Sequence, residues 1–257
     1  MCTVTISRGN GALVATMNRD EALTRAPELR PEIAEGVNGG LWMGPRDSER
    51  GGTWMGVNDQ GLVACLLNAY QPGESLLPDT TGRFRTRGEI IPALLSAGDT
   101  SGALRWLQDE LDVRAYPSFT LLVAGLDSAV SMEWLGEHGP AITKLTDEWV
   151  LRSSSGWDSL DVRRWREQQF AQWRESGEPH FGTLPSFHVL QEPGHEDRSP
   201  LMKRLWAATR SITQARVLRG AGRVELRYWA EPTPDTREPA THCTLRLAPA
   251  RTLAKAH

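Results

Sequence analysis

Cysteine is scarce in this chain: Cys2, Cys65 and Cys243 are three in 257 residues, an odd number with no Cys-X-X-Cys pair. That argues against both a disulfide framework and a structural zinc site. No apolar run approaches membrane-spanning length. The opening Met1-Cys2-Thr3-Val4-Thr5-Ile6-Ser7-Arg8 lacks the charged start and long apolar stretch of a signal peptide, so the expected location is the cytoplasm. Neither sign of charge dominates: 32 acidic and 29 basic residues give a net charge of -3, and no block of one sign forms a phosphate-binding stripe. Nucleic acid is therefore not an expected partner. The usual catalytic signatures are also missing. There is no Gly-X-Ser-X-Gly and no His-Glu-X-X-His, and Gly9 and Gly11 lack the third glycine of a dinucleotide fingerprint. Gly51-Gly52-Thr53-Trp54-Met55-Gly56 is not followed by Lys-Ser/Thr, so it is no phosphate loop, and its glycines read as places of close backbone approach.

What is present describes an ordinary globular chain. Hydrophobic content of 39% and charged content of 24% predict one compact domain over residues 1–257. Cys2 to Ile6 and Ala12 to Met17 are β-prone runs around Arg8-Gly9-Asn10-Gly11, which predicts a hairpin beginning at residue 2. Strands are expected at Leu41 to Met43, Thr53 to Val57 and Leu62 to Leu67. Helical spacing follows in Glu89 to Leu95 and Ser101 to Leu111. Phe119 to Ala124, Ala129 to Trp134 and Glu148 to Leu151 read as strands, and Leu160 to Trp173 as an Arg/Gln-rich amphipathic helix. Ile212 to Leu218 and Val224 to Trp229 form a second hairpin, and Cys243 to Leu247 a last strand. Strands, paired helices and strands again predict an α+β layered domain rather than a doubly wound sheet. Pro193 to Pro200 and Glu231 to Ala240 read as loops; His195, Glu196 and Asp197 in the first are solvated surface, and no metal is assigned. Ten tryptophans are available for a core or for an apolar ligand pocket.

Cys65 and Cys243 sit in apolar runs and read as small buried hydrophobes. Cys2 differs by position. With Met1 removed it would carry a thiol and a free α-amine, whose reference pKa values of roughly 8.5 and 7.7 to 8.0 allow easy proton exchange. The predicted hairpin returns Asn18-Arg19-Asp20-Glu21 to the start of the first strand. There Arg19 would favour the thiolate and Asp20 would orient the amine, or the two would form a plain turn ion pair. Spacing does not choose between these.

A resemblance does. Met1-Cys2-Thr3, Asn18-Arg19-Asp20-Glu21, Gly51 to Asn58, Gly61 and Leu67-Asn68 resemble, in that order, the NRDE family, also called transport and Golgi organisation protein 2. Weaker echoes at Thr86-Arg87-Gly88, Ser153-Ser154-Ser155 and Met202 to Ser211 extend the likeness over most of the chain. The resemblance implies an α+β, four-layer αββα sandwich of the N-terminal-nucleophile (Ntn) hydrolase type, similar to cysteine enzymes that cleave penicillin V and conjugated bile salts. It implies catalytic roles for Cys2 as nucleophile, Arg19 and Asp20 as its partners, and Asn68 at the oxyanion. It assigns substrate binding to Asn18, Trp54, Ser154 and Arg204. The partner would be a small-molecule acyl or amide substrate, with no cofactor required. A second reading from the same family is a non-catalytic carrier of haem or an acyl lipid; self-association as a homo-oligomer fits either. In one place the sequence departs from the amidases, carrying Ser153-Ser154-Ser155 where they have an asparagine at the oxyanion. Losing such a donor typically costs on the order of 2.7 to 4 kcal/mol.

Overall fold

The computed structural model describes residues 2–70, 82–136, 138–156, 159–177 and 182–248. The first hairpin joins β1 (Cys2–Gly9) to β2 (Ala12–Ala22). Asn10 and Gly11 both take positive φ, 52° and 72°, the left-handed pair that a two-residue turn between twisted strands requires. The chain then forms β3 (Leu29–Glu35), β4 (Leu41–Arg46), β5 (Met55–Asn58) and β6 (Val63–Asn68), followed by helices α1 (Ile90–Ser96) and α2 (Thr100–Asp109). Strands β7 (Phe119–Ala124), β8 (Ala129–Trp134), β9 (Ala141–Lys144) and β10 (Trp149–Ser154) lead to α3 (Ser159–Glu175). The last strands are β11 (Ala207–Leu218), β12 (Arg223–Ala230) and β13 (Thr241–Arg246).

Two antiparallel sheets result, one ordered β10-β1-β2-β11-β12-β13 and the other β3-β4-β5-β6-β7-β8-β9. Strand alternation decides what lies between them. Val4, Ile6, Leu13, Ala15 and Met17 of the first sheet meet Met43, Met55, Val57, Cys65 and Leu122 of the second in one apolar layer. The other face of the second sheet packs Leu62, Ala64, Leu66 and Phe119 under Ile91, Leu94 and Leu107 of α1 and α2. Helix α3 covers the first sheet, with Trp173 edge-on to Trp149 of β10 at 5.4 Å between ring centroids. The order of layers is therefore helix, sheet, sheet, helix, the αββα sandwich of an Ntn hydrolase.

The layer under α3 is unlike the others. The outward residues of β1 are Thr3, Thr5 and Ser7, all buried. Burying hydroxyls without partners is costly; Thr3 and Thr5 are hydrogen-bonded, whereas Ser7 Oγ has no partner among the described residues. Thr5 Oγ1 lies 2.7 Å from Nε2 of the fully buried His188, and the other ring nitrogen faces Asn18 Oδ1. The Asn18 amide in turn donates to the carbonyls of His188 and Pro200, both at 2.8 Å. Because Asn18 Oδ1 can only accept, Nδ1 carries the proton and Nε2 accepts from the threonine. Burial pushes the His188 pKa down to about 3, so the ring is neutral at ordinary pH.

The sequence reading misses β3 and β9, which form the two edges of the second sheet. It also places Cys243 too deep: the residue is half-buried, its Sγ 3.6 Å from the Pro31 carbonyl.

Candidate active site

Two pairings on β1 set the site. Cys2 lies directly opposite Arg19 of β2 and, on its other side, opposite Ser154 of β10. Residues directly opposite on neighbouring strands share a face, so this register, fixed by the Asn10-Gly11 turn, puts the thiol beside the guanidinium. The Cys2 backbone nitrogen donates to Ser154 Oγ at 3.2 Å. A cavity of about 140 Å³ opens beside the thiol, walled among others by Cys2, Arg19, Asp20, Trp54 and Asn68. Part of its wall is a backbone contact. A Cβ on Gly52 would lie 2.5 Å from the Gly88 carbonyl carbon, and the Thr53 N–H donates to the Gly88 carbonyl at 3.0 Å. Only glycines allow that approach. A second cavity of about 240 Å³, lined by Ser153, Ser154 and Ser155, shares Asn68 with the first.

Electrostatics around the sulfur are balanced rather than strongly positive. Arg19 is nearly buried between two carboxylates, 3.1 Å from Glu28 and 3.3 Å from Glu21, and its guanidinium carbon stacks 4.3 Å from the centre of a Trp54 ring. Asp20 accepts from Thr209 Oγ1 at 2.7 Å and from Arg166 at 3.4 Å. Thr209 reaches Asp20 because β11 bulges there: its pairing with β2 shifts between Thr209 and Ser211, leaving Arg210 as the extra residue. Burial pushes the Cys2 thiol pKa up, and the Asp20 carboxylate pushes it the same way; the charge of the N-terminal amine, then a hydrogen bond from the Asp20 backbone and the charge of Arg19, pull it down without cancelling the rise. The sulfur rests as a thiol and needs a base in contact with it to react.

Cys2, Arg19, Asp20, Trp54 and Asn68 thus converge on one cavity, and Ser154 touches the Cys2 nitrogen. Asn68 also donates to the Tyr70 hydroxyl at 3.2 Å. Two of the residues expected to bind substrate lie elsewhere. Asn18 faces the α3 side of its sheet and spends its amide on His188 and Pro200, because it is one position out of phase with Arg19. Arg204 is not among the residues lining either cavity. It donates to the Asp197 carbonyl at 2.7 Å, and its guanidinium carbon lies 5.8 Å from the centre of the Trp206 ring.

The sequence reading passed over Arg166, Glu28 and Thr209. Arg166 was one basic residue among several on an amphipathic helix, yet its side chain is fully buried. The only trace in the sequence is its place beside Val162 and Phe170, four residues away on either side, on the apolar face of α3. Among the described residues no group of three or more His, Cys, Asp and Glu side chains is placed to hold a metal ion.

A family model described as Transport and Golgi organisation 2 matches residues 1–214. No curated protein sequence matches the chain. Among solved structures, the N-acylethanolamine-hydrolyzing acid amidase ortholog of Caenorhabditis elegans aligns with a TM-score of 0.56 at 16% identity, over 83% of this chain and 92% of its own. Penicillin V acylase from Agrobacterium tumefaciens aligns with a TM-score of 0.48 at 12% identity, over 91% of this chain and 84% of its own. A variant of conjugated bile acid hydrolase from Clostridium perfringens gives 0.47 at 9% identity, over 96% and 92%.

Proposed function

The chain belongs to the Transport and Golgi organisation 2 family, and from that premise and the geometry around Cys2 we propose that it is an N-terminal-cysteine amidohydrolase acting on a linear, non-peptide amide. The observation that carries the reading is the placement of both reactive groups of one residue. The Cys2 nitrogen is held by Ser154 Oγ, and its thiol shares a cavity wall with Arg19, Asp20 and Asn68. Removal of Met1 turns that nitrogen into a free amine, a base with a reference pKa of about 7.7 to 8.0.

The amine takes the thiol proton as sulfur attacks the amide carbonyl carbon. A C–S bond forms and the carbonyl π electrons move onto oxygen. Asn68, which lines the cavity, donates to that oxyanion through its backbone N–H or its side chain, and the Ser154 hydroxyl is a second donor. Collapse re-forms the carbonyl and breaks the C–N bond, and the α-ammonium returns its proton to the departing nitrogen. Water then adds to the thioester with the same amine as base, releasing the carboxylic acid and the thiol. Asp20 holds the ammonium form in place during both steps. That a fold relative is named for hydrolysing N-acylethanolamines supports starting from simple linear amides.

The test joins intact mass to turnover. The expected result is a protein lacking Met1 that releases amine from members of a linear-amide panel, with release abolished in Cys2→Ala. Retention of Met1 would leave the Cys2 nitrogen an amide and rule the mechanism out.

A further inference from the structure

Arg166 is a buried charge that the steps above leave unused. Its side chain is 0% exposed, as is that of its ionic partner Asp20. A guanidinium has five N–H donors, and each is committed here. Nε donates to the Arg198 carbonyl at 2.9 Å, Nη1 to Thr3 Oγ1 at 2.6 Å and to Ser153 Oγ at 3.3 Å. Nη2 donates to Asp20 Oδ2 at 3.4 Å and to the Ser199 carbonyl at 2.9 Å. Three of these partners stand on the three adjacent strands that build the site, and each is the sequence neighbour of a site residue. Thr3 follows Cys2 on β1, Asp20 follows Arg19 on β2, and Ser153 precedes Ser154 on β10. A guanidinium that merely fastened α3 to the sheet would be satisfied by carbonyls anywhere along it. This one grips the backs of the residues whose front faces meet in the cavity.

We propose that Arg166 is a positioning residue for the Cys2 site: it locks the ends of β1, β2 and β10 in one arrangement and offsets the charge that Asp20 presents to the nucleophile. The proposal rests on the reading of Cys2 as the nucleophile. The ionisable groups facing the sulfur are the α-amine of Cys2 itself once Met1 is removed, Arg19 and Asp20 on β2, Cys65 on β6 and Arg166 on α3, with Glu21, Arg25, Asp47 and Arg87 around the cavity. Among them Asp20 opposes thiolate formation and Arg19 assists it; Arg166 is ion-paired to Asp20 and its charged form is favoured by a Cys2 thiolate, so its cation acts in the same sense as that of Arg19. Taking Arg166 away removes a cation and leaves the Asp20 anion without its partner. The loss of the cation is the change that disfavours the thiolate.

The rate of Cys2 alkylation by iodoacetamide, followed by peptide mass spectrometry across pH, reads this directly. Arg166→Gln is expected to raise the midpoint of the rate profile by about one pH unit. At neutral pH the thiolate population then falls about tenfold, while the more basic thiolate regains about threefold in nucleophilicity, so the rate drops about threefold. Arg166→Lys, which keeps the charge, is expected to bring the midpoint most of the way back. The paired variant Asp20→Asn with Arg166→Gln leaves no buried charge unpaired, and it carries the test even where Arg166→Gln alone does not fold. Its midpoint is expected about one unit above that of Asp20→Asn. An Arg166→Gln midpoint equal to that of the unaltered protein, or equal midpoints for Asp20→Asn and the paired variant, overturns the role of Arg166 and leaves Cys2 as nucleophile untouched. If Cys2 of the unaltered protein does not react at any pH, the nucleophile reading falls and the role of Arg166 falls with it.

Discussion

At the scale of single residues, the site is built from groups that face in two directions. Ser154 looks into the second cavity and accepts from the Cys2 nitrogen, so its hydroxyl holds the orientation of the proposed base. A hydrogen bond of this kind contributes about 0.5 to 1.5 kcal/mol and a donor to the oxyanion about 2.7 to 4 kcal/mol, so Ser154→Ala is expected to lower kcat by at least about three- to tenfold, and by about a hundredfold or more through the oxyanion role, while KM changes little. Steady-state kinetics on any linear amide that the protein turns over check this; an unchanged kcat would count against Ser154. His188 looks the other way and is neutral at ordinary pH. Its pKa is lowered by burial from 6.5 to about 3, so below pH 6.5 the unfolded chain binds a proton that the folded one refuses. Stability is therefore full above that value and declines as the pH falls toward about 3, by up to about 5 kcal/mol. Urea midpoints between pH 7 and pH 4, in the unaltered protein and in His188→Gln, test it: the substitution is expected to flatten the His188 part of the slope, and parallel curves would contradict that.

At the scale of elements, the cavity depends on segments that touch through backbone alone. Gly52→Ala puts a Cβ 2.5 Å from the Gly88 carbonyl carbon, so either the Gly52 or the Gly88 segment has to move. Overpacking of this sort costs about 1 to 3 kcal/mol, and because both glycines wall the cavity the same substitution is expected to weaken substrate binding. A thermal melt and a KM measurement read the two effects, and a variant unchanged in both would show that the wall yields freely. Elements also differ in how plainly the sequence announces them. The β1–β2 hairpin was legible because both strands alternate around Asn10-Gly11, and α1 and α2 because their apolar residues keep helical spacing. Strand β3 was not: Pro31 reads as a breaker, and Leu29 and Ile33 are at least half solvent-accessible at 57% and 50%. Every residue of β9 is exposed. An edge strand with little buried surface has no apolar face to alternate against, and a proline can sit where no ladder hydrogen bond is needed.

At the scale of the whole molecule, stability is concentrated where sheets meet. The central strands β1, β2, β6 and β7 are buried nearly throughout, whereas the edge strands β3 and β9 are largely open. Amide exchange followed by mass spectrometry is expected to be slowest in β1, β2, β6 and β7 and faster by orders of magnitude in β3 and β9. Comparable protection across each sheet would mean that it opens only as a unit. The slow strands are the ones that carry Cys2, Arg19 and Asn68, so the candidate site stands on the most rigid part of the fold.

By itself the sequence determined the layered α+β class, the hairpin that starts at Cys2, and Cys2, Arg19 and Asp20 as candidates, to which the resemblance to a known family added Trp54 and Asn68. Those follow from periodicity, turn residues and an ordered set of motifs, all of which are local. Only the tertiary structure decided that Asn18 belongs to a buried network with His188, that Arg204 points elsewhere, and that Arg166 stands behind Cys2. Which face of a strand a polar side chain occupies, and what meets it there, depends on partners 146 to 170 residues away in the chain, as between Arg166 and Asp20 or His188 and Asn18. No short-range pattern records such a distance, because the burial that makes those contacts matter exists only once the layers have closed.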